Sequence, residues 1–504
     1  MKRDVGIVAC AALLAVATAA RAEGEITSDT AAQFYDVRSP TGETVLARRR
    51  VTTTLGVSAF DLLGKERSAG QHHEPNLIFR ARLRYDADYG ADAASASPTS
   101  LDKLVPGFSR GPVDIMYGYV EGRRFVGGAL GFRLGRQLMT DALGWWSFDG
   151  GEVKVTTPAY FAVEGYGGLE VRGGLPFSGA AGRWERDGVS RGDRSGYDAA
   201  TYPGFLDADV APAFGAAIES AGVSWLSARL SYRRVYNTNT PFNGAPGDAL
   251  AAPPLVAGPR LSSERVGYAV NATAPKVGAL QAGLVYDVYA GLLSNVYATA
   301  DVFAGRKVTV SADFDYFRPT FDADSIFTFF AAEPTADLGL RAHVDATARL
   351  SASASAHVRT METQTAPHLE GATRALSAAG AIYPSNGVAF NEGGSVQARY
   401  RRLDTTAQLR ATGNFGDGGD RVGADLYVER VLETRYLLSG RVGAWQWDDK
   451  LRPDRSAVNV GYAAGIGYRF APRSRASFEF EHNANRLVGQ RLRFMLWLSV
   501  AVLP

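Results

Sequence analysis

Residues 338–350 read Leu338-Gly339-Leu340-Arg341-Ala342-His343-Val344-Asp345-Ala346-Thr347-Ala348-Arg349-Leu350. The even positions are all apolar, and the odd ones carry Gly, Arg, His, Asp, Thr and Arg. Successive side chains of a strand point to opposite faces, so this segment has one oily face and one charged face. It is also long. Soluble strands centre on about five or six residues, whereas a strand that crosses a membrane needs about nine to eleven.

The same alternation separates Leu77, Phe79, Ala81, Leu83, Tyr85, Ala87 and Tyr89 from Arg80, Arg82, Arg84, Asp86 and Asp88. It separates Val308, Val310, Ala312, Phe314 and Tyr316 from Thr309, Ser311, Asp313 and Asp315. Further runs begin near Val45, Val113, Gly128, Phe148, Tyr160, Val210, Val223, Ser262, Val277, Asn295, Ala352, Ser395, Thr405, Val422, Thr434, Ala457, Arg475 and Leu487. No stretch carries a 3.6-residue apolar stripe, so the chain is predicted to be all-β.

Composition removes other classes. With 54 Lys+Arg against 52 Asp+Glu in 504 residues, the formal charge is +2, too little surplus for a phosphate-binding nucleic-acid protein. At 46% hydrophobic residues the chain is too apolar to be disordered. The single cysteine, Cys10, excludes a disulfide framework and a multi-cysteine metal centre.

The start of the chain reads as an export signal. Lys2 and Arg3 precede an apolar run from Val5 to Ala20, and Ala20-Arg21-Ala22 forms an A-x-A cleavage site. The predicted organisation is a signal peptide at 1–22, a short periplasmic segment at 23–44 and one barrel domain at 45–504. Loss of 1–22 leaves 51 basic and 51 acidic residues, a neutral mature chain. Nothing after residue 22 is long and apolar enough for a membrane helix. A soluble exported β-protein and a transmembrane β-barrel remain.

Strand length favours the barrel, and so do the connections. Long segments (Ala91 to Pro112, Gly173 to Asp209, Asn237 to Leu261, Pro319 to Thr335, Thr363 to Gly393) alternate with tight turns near Val126, Pro158, Ala221, Pro275, Gly305, Ser351, Leu403, Glu433 and Pro472. Outer-membrane barrels have short periplasmic turns and long outer loops. The chain closes on Leu492, Phe494, Leu496, Leu498, Val500 and Val502, one face of a final strand, with Trp497 on the other. The count is about twenty strands, 18 to 22 under the even-number rule. The run from Val45 to Leu62 makes it odd, so either that run pairs as an extra strand beside another early segment, or one of Phe148 to Thr156 and Asn295 to Phe303 is not a strand.

A barrel this wide encloses more space than side chains fill. Its predicted pore-lining residues are Arg80, Arg82, Arg84, Arg133, Asp313, Asp315, Arg341, Asp345, Arg399, Arg401, Asp425, Glu429, Glu479, Glu481, Arg491 and Arg493. A last hairpin turning about Asn485 would set Glu479 opposite Arg491. Opposed acidic and basic arcs would create a transverse field that favours hydrated polar solutes. Trp145, Trp146, Phe148, Trp445 and Trp447 fall at strand ends and read as the interfacial aromatic girdle, with sugar stacking as the alternative.

Phe132-Arg133-Leu134-Gly135-Arg136-Gln137 followed by Phe148-Asp149-Gly150 resembles the Gly-Arg-Gln and Phe-Asp-Gly strands of alginate-export and related porin-type barrels. The resemblance implies a wall element, a lumen-facing Arg133 or Arg136, and polysaccharide or another hydrophilic solute as cargo.

Catalysis finds no support. No G-x-S-x-G elbow accompanies His343 or His357, His72-His73 with Glu74 lacks a second ligand cluster, and Asp417-Gly418-Gly419-Asp420 reads as a turn rather than a calcium loop. No cofactor is expected. The sequence thus predicts a non-enzymatic outer-membrane channel whose partners are lipid and a hydrophilic solute. The alternative is a loop-plugged barrel anchoring an envelope-spanning secretion, motility or adhesion complex through a periplasmic partner.

Overall fold

The computed structural model describes residues 23–63, 75–88, 113–171, 211–237, 260–320, 333–363, 387–450 and 453–502. The expected signal peptide, His72-His73-Glu74 and most of the long connections lie outside them. The first strands are β1 (Glu23–Arg38), β2 (Thr44–Phe60), β3 (Asn76–Asp88), β4 (Val113–Phe125), β5 (Leu130–Asp141), β6 (Gly144–Thr156) and β7 (Phe161–Glu170). Next come β8 (Pro212–Ser220), β9 (Leu226–Asn237), β10 (Arg260–Ala274), β11 (Gly278–Asp287), β12 (Leu292–Ala304), β13 (Val308–Phe317) and β14 (Thr335–Asp345). The chain continues through β15 (Leu350–Thr363), β16 (Gly387–Arg402), β17 (Thr405–Gly416) and β18 (Gly419–Leu432). It ends with β19 (Tyr436–Asp449), β20 (Ala457–Ala471), β21 (Ser474–Asn485) and β22 (Gly489–Val502).

Each strand pairs antiparallel with the next in sequence, and β22 pairs antiparallel with β1, from Ile26↔Val502 to Arg38↔Gln490. The sheet is therefore a closed ring of 22 strands with no free edge for aggregation. A stacked sandwich is excluded by that closure. Glu23 and Val502, the first and last described residues, and the tight turns at 126–129, 157–160, 221–225, 275–277, 305–307, 346–349, 403–404, 433–435 and 472–473, lie at one end of the barrel. The strand ends that flank 89–112, 172–210, 238–259, 321–332 and 364–386 lie at the other, whereas those that flank 61–75 lie at the tight-turn end.

Residues 23–44 are not a periplasmic extension, because β1 occupies 23–38 and closes the ring. This restores an even count. The strand is hard to read because the side chains on its outward face, Ile26, Ser28, Thr30, Ala32, Phe34 and Asp36, are mostly small or polar. The two segments in question, Phe148 to Thr156 and Asn295 to Phe303, lie within β6 and β12. The alternation at 338–350 runs through a turn: β14 stops at Asp345, and Thr347 N–H bonds Leu350 O before β15 begins.

Side chains two strands apart meet only on a concave face, since neighbouring strands are about 4.8 Å apart. They meet on the polar one. Arg82 of β3 reaches Asp29 of β1 at 2.7 Å, and Arg229 of β9 reaches Glu164 of β7 at 2.6 Å. The polar face thus looks inward and the apolar face outward, where Leu338, Leu340 and Val396 stay more than half exposed. The outward rims carry aromatic residues, Tyr400, Tyr436, Tyr468 and Phe470 near the tight-turn end and Phe34, Phe390 and Phe415 near the other.

Candidate functional site

Every predicted pore-lining residue lies on the inward face. Arg80, Arg82 and Arg84 alternate along β3 with outward Phe79, Ala81 and Leu83. Arg133 faces Glu121 of β4 at 3.5 Å and Glu152 of β6 at 3.3 Å. Asp313 and Asp315 stand on β13, and Arg341 and Asp345 on β14. Arg399 and Arg401 stand near the tight-turn end of β16. Asp425 meets Arg441 at 3.6 Å, and Glu429 accepts a 2.6 Å hydrogen bond from the Tyr427 hydroxyl.

The last hairpin turns about Leu487 rather than Asn485, because Asn485 Oδ1 accepts the N–H groups of Leu487 and Val488. Glu479 therefore opposes Met495, and Glu481 opposes Arg493. Glu481 is held by both Arg491 and Arg493, and Glu479 approaches Arg493 at 3.7 Å.

The charges sort by position around the ring. With 22 strands, each strand lies across from the one eleven places on. Arg48, Arg50, Arg80, Arg82 and Arg84 of β2 and β3 thus lie across from Asp313, Asp315 and Asp337 of β13 and β14. Asp86 locks Arg50 at 2.8 Å, and Arg359 holds Asp337 at 2.6 Å. Among the described side chains, the inward faces of β2 and β3 carry five guanidinium groups against one carboxylate, Asp86, and those of β13 and β14 carry Asp313, Asp315, Asp337 and Asp345 against Arg341.

A feature absent from the sequence reading fills another quadrant. The β4–β5 ladder stops at Gly118↔Arg136, while β5 and β6 stay paired to Asp141↔Gly144. The upper hairpin leaves the wall there and lies across the inward faces of β7 to β10. Met139, Trp146 and Phe148 of the hairpin bury against Tyr166, Ala211, Ala213 and Val235. Trp146 stacks on Phe148 with centroids 4.4 Å apart, and the Arg233 guanidinium sits 5.1 Å from its ring. At the tip, Arg233 Nη2 donates to Leu143 O at 3.1 Å, and Leu143 fits over Gly267 of β10, where a Cβ would meet it at 2.7 Å.

The bend is made by the Gly-Arg-Gln and Phe-Asp-Gly residues. Gly135 has φ +128°, a conformation glycine tolerates, and a side chain there or at Gly150 would strike the neighbouring strand. Gln137, 1% exposed, donates from Nε2 to Gly150 O at 3.1 Å. Arg133 faces inward. Arg136 points from the opposite face, binding Asp149 through both ends of its fork at 2.7 Å and reaching Ile115 O at 3.3 Å.

Below the hairpin, Arg229 bridges Glu164 and Glu219 at 2.6 Å each, and Lys154 also binds Glu219. Glu164 is only 5% exposed, so it depends on that guanidinium. Removing one partner of a buried ion pair costs about 3–5 kcal/mol. Arg229→Ala should therefore lower the midpoint of urea unfolding of the detergent-solubilised barrel, while Arg430→Ala, on an exposed 3.7 Å pair, should leave it unchanged.

The aromatics expected at the membrane interface do not lie there. Trp146 and Phe148 clamp the hairpin to the wall. Trp445 and Trp447 face the lumen, paired with Gly423 and Arg421. Trp145 is 76% exposed on the hairpin's free side. The small inward residues Gly461, Ala463 and Gly465 of β20 line an open cavity beside that wall.

No family model matches the chain, and no curated protein matches it. Among solved structures, OccAB4 of Acinetobacter baumannii is 7% identical over 96% of this chain and 98% of its own, with a TM-score of 0.43. OpdQ of Pseudomonas aeruginosa is 8% identical over 96% and 99%, with a TM-score of 0.42. OccK8 (OprE) of Pseudomonas aeruginosa is 8% identical over 96% and 98%, with a TM-score of 0.41.

Proposed function

We propose that this chain is a bacterial outer-membrane channel that passes hydrophilic solutes through a charged lumen and has no catalytic role. The observation that carries the reading is ring closure with the oily face outward and the ionised face inward. Such an exterior is stable in hydrocarbon, where every backbone group must be paired within the sheet, and such an interior is stable only when wet. The facing acidic and basic arcs favour solutes that carry separated charge or many hydroxyls over apolar ones. Exported polysaccharide is one cargo of that kind. The alginate-type motif adds nothing specific to it, since its residues are spent on the hairpin bend. Purified protein added to planar bilayers should give stepwise conductance. Silence from both the full chain and a variant lacking residues 140–145 would overturn the reading.

A further inference from the structure

We propose that the lumen wall around β17 to β20, near the long-loop end, binds a saccharide ring. Trp445 lies flat on this wall: a Cβ on Gly423 would overlap the indole, so the missing side chain is what lets the ring lie down. The Arg421 guanidinium is 4.6 Å from its centroid. Trp447 projects beside it, 46% exposed. The two indoles, Arg421, Asn391, Asn414 and Asn459 line a cavity of about 860 Å³. A second cavity of about 550 Å³ continues from it, sharing Trp445, Arg421 and Asn459.

The chemistry of that set fits a pyranose better than its rivals. A pyranose presents C–H groups on its faces and hydroxyls on its rim, each hydroxyl both donor and acceptor. An indole face accepts the first. An asparagine amide, with one acceptor and two donor hydrogens, matches the second. Asn414 Oδ1 has no donor partner among the described residues. A plain anion would need the arginine but not the indoles, and an apolar ligand would strand the amides. The cavity is of the size that holds small organic ligands. Tryptophans that anchor a barrel belong on the outward face, and these are on the inward one. The site also faces the folded hairpin, because β18 and β19 lie across the ring from β7 and β8, which that hairpin covers.

The inference names a solute class for the proposed channel, so the test keeps binding separate from conduction. Full-length protein in detergent is titrated with maltotriose while intrinsic tryptophan fluorescence is followed, with the open-chain polyol sorbitol as control. A saturable maltotriose response is expected, absent with sorbitol. The Trp445→Ala/Trp447→Ala double variant should weaken it at least roughly tenfold. Asn459→Leu, which keeps both indoles, should also weaken it and serves if the double variant misfolds. No saturable response from the intact chain, or an undiminished response from Asn459→Leu, overturns the subsite. Saturable binding without bilayer conductance from either the full chain or the variant lacking residues 140–145 would leave the subsite standing and overturn the channel. Conductance without saccharide binding would do the reverse.

Discussion

Gly267→Phe should lower the single-channel conductance of the barrel, and removal of residues 140–145 should raise it, each by roughly twofold, as a change in pore width demands. The opposite signs follow from how the hairpin is seated. Leu143 approaches β10 only because position 267 has no side chain, so a phenylalanine there lifts the tip away from the wall and into the lumen. Removing the tip takes away the Leu143 carbonyl and uncovers the wall that it shields. The stem should remain in place, since Met139, Trp146 and Phe148 are buried with Tyr166 and Val235 independently of the tip. Arg233→Leu offers an intermediate case: it loses the bond to Leu143 O and the contact with Trp146 but adds no bulk. Conductance histograms of the three variants in one salt solution check the order. A Gly267→Phe channel wider than the parent would mean that the hairpin does not narrow the lumen.

The ring was legible in the sequence and the hairpin was not, for a physical reason. Alternation reports which face of a strand is oily, and the Leu338 to Val344 and Val308 to Tyr316 segments report it because their outward faces are apolar over their whole length. It says nothing about where a strand leaves the wall. Leu138 and Trp145 continue the same alternation past Gly135 and Gly150, so the period survives the bend while the faces change surroundings. The oily side below the bend looks outward. Above it, Met139 and Trp146 from the other side become the buried ones. Strand β1 escaped for the converse reason, its outward face being mostly small and polar, and only its pairing with β22 reveals its place.

The candidate site divides in the same way. Which face a charge takes follows from residue parity, and Arg80, Asp313, Arg399 and Glu481 share the inward one. Which charges meet depends on hairpin register, and a shift of two positions in the last turn sets Glu481 between Arg491 and Arg493 and leaves Glu479 3.7 Å from Arg493 alone. The tryptophans show the limit of position as a guide. An indole at a strand end has the same sequence distance from the turn whether it faces lipid or water, and only parity against Arg421 and Gly423 places Trp445 and Trp447 inside.

Neutralising one arc at a time should move ion selectivity in opposite directions. Asp313→Asn/Asp315→Asn removes two of the carboxylates opposite β2 and β3, so the reversal potential across a salt gradient should shift toward anion preference. Arg80→Gln/Arg84→Gln should shift it toward cations. Arg82, committed to Asp29 at 2.7 Å, and Arg50, committed to Asp86 at 2.8 Å, are left in place, because substitution there would disturb the wall. Each shift should amount to roughly a severalfold change in permeability ratio at low salt, and should shrink as the Debye length falls from about 10 Å at 0.1 M to about 3 Å at 1 M. The four-residue variant that combines both pairs should return near the parental ratio yet show a reduced preference for zwitterions over neutral solutes of equal size, because the field between the arcs is weakened while net charge is unchanged. Liposome swelling with glycine and with glycolamide measures that loss. Equal glycine rates in the parent and the combined variant would show that the facing arcs only solvate the wall.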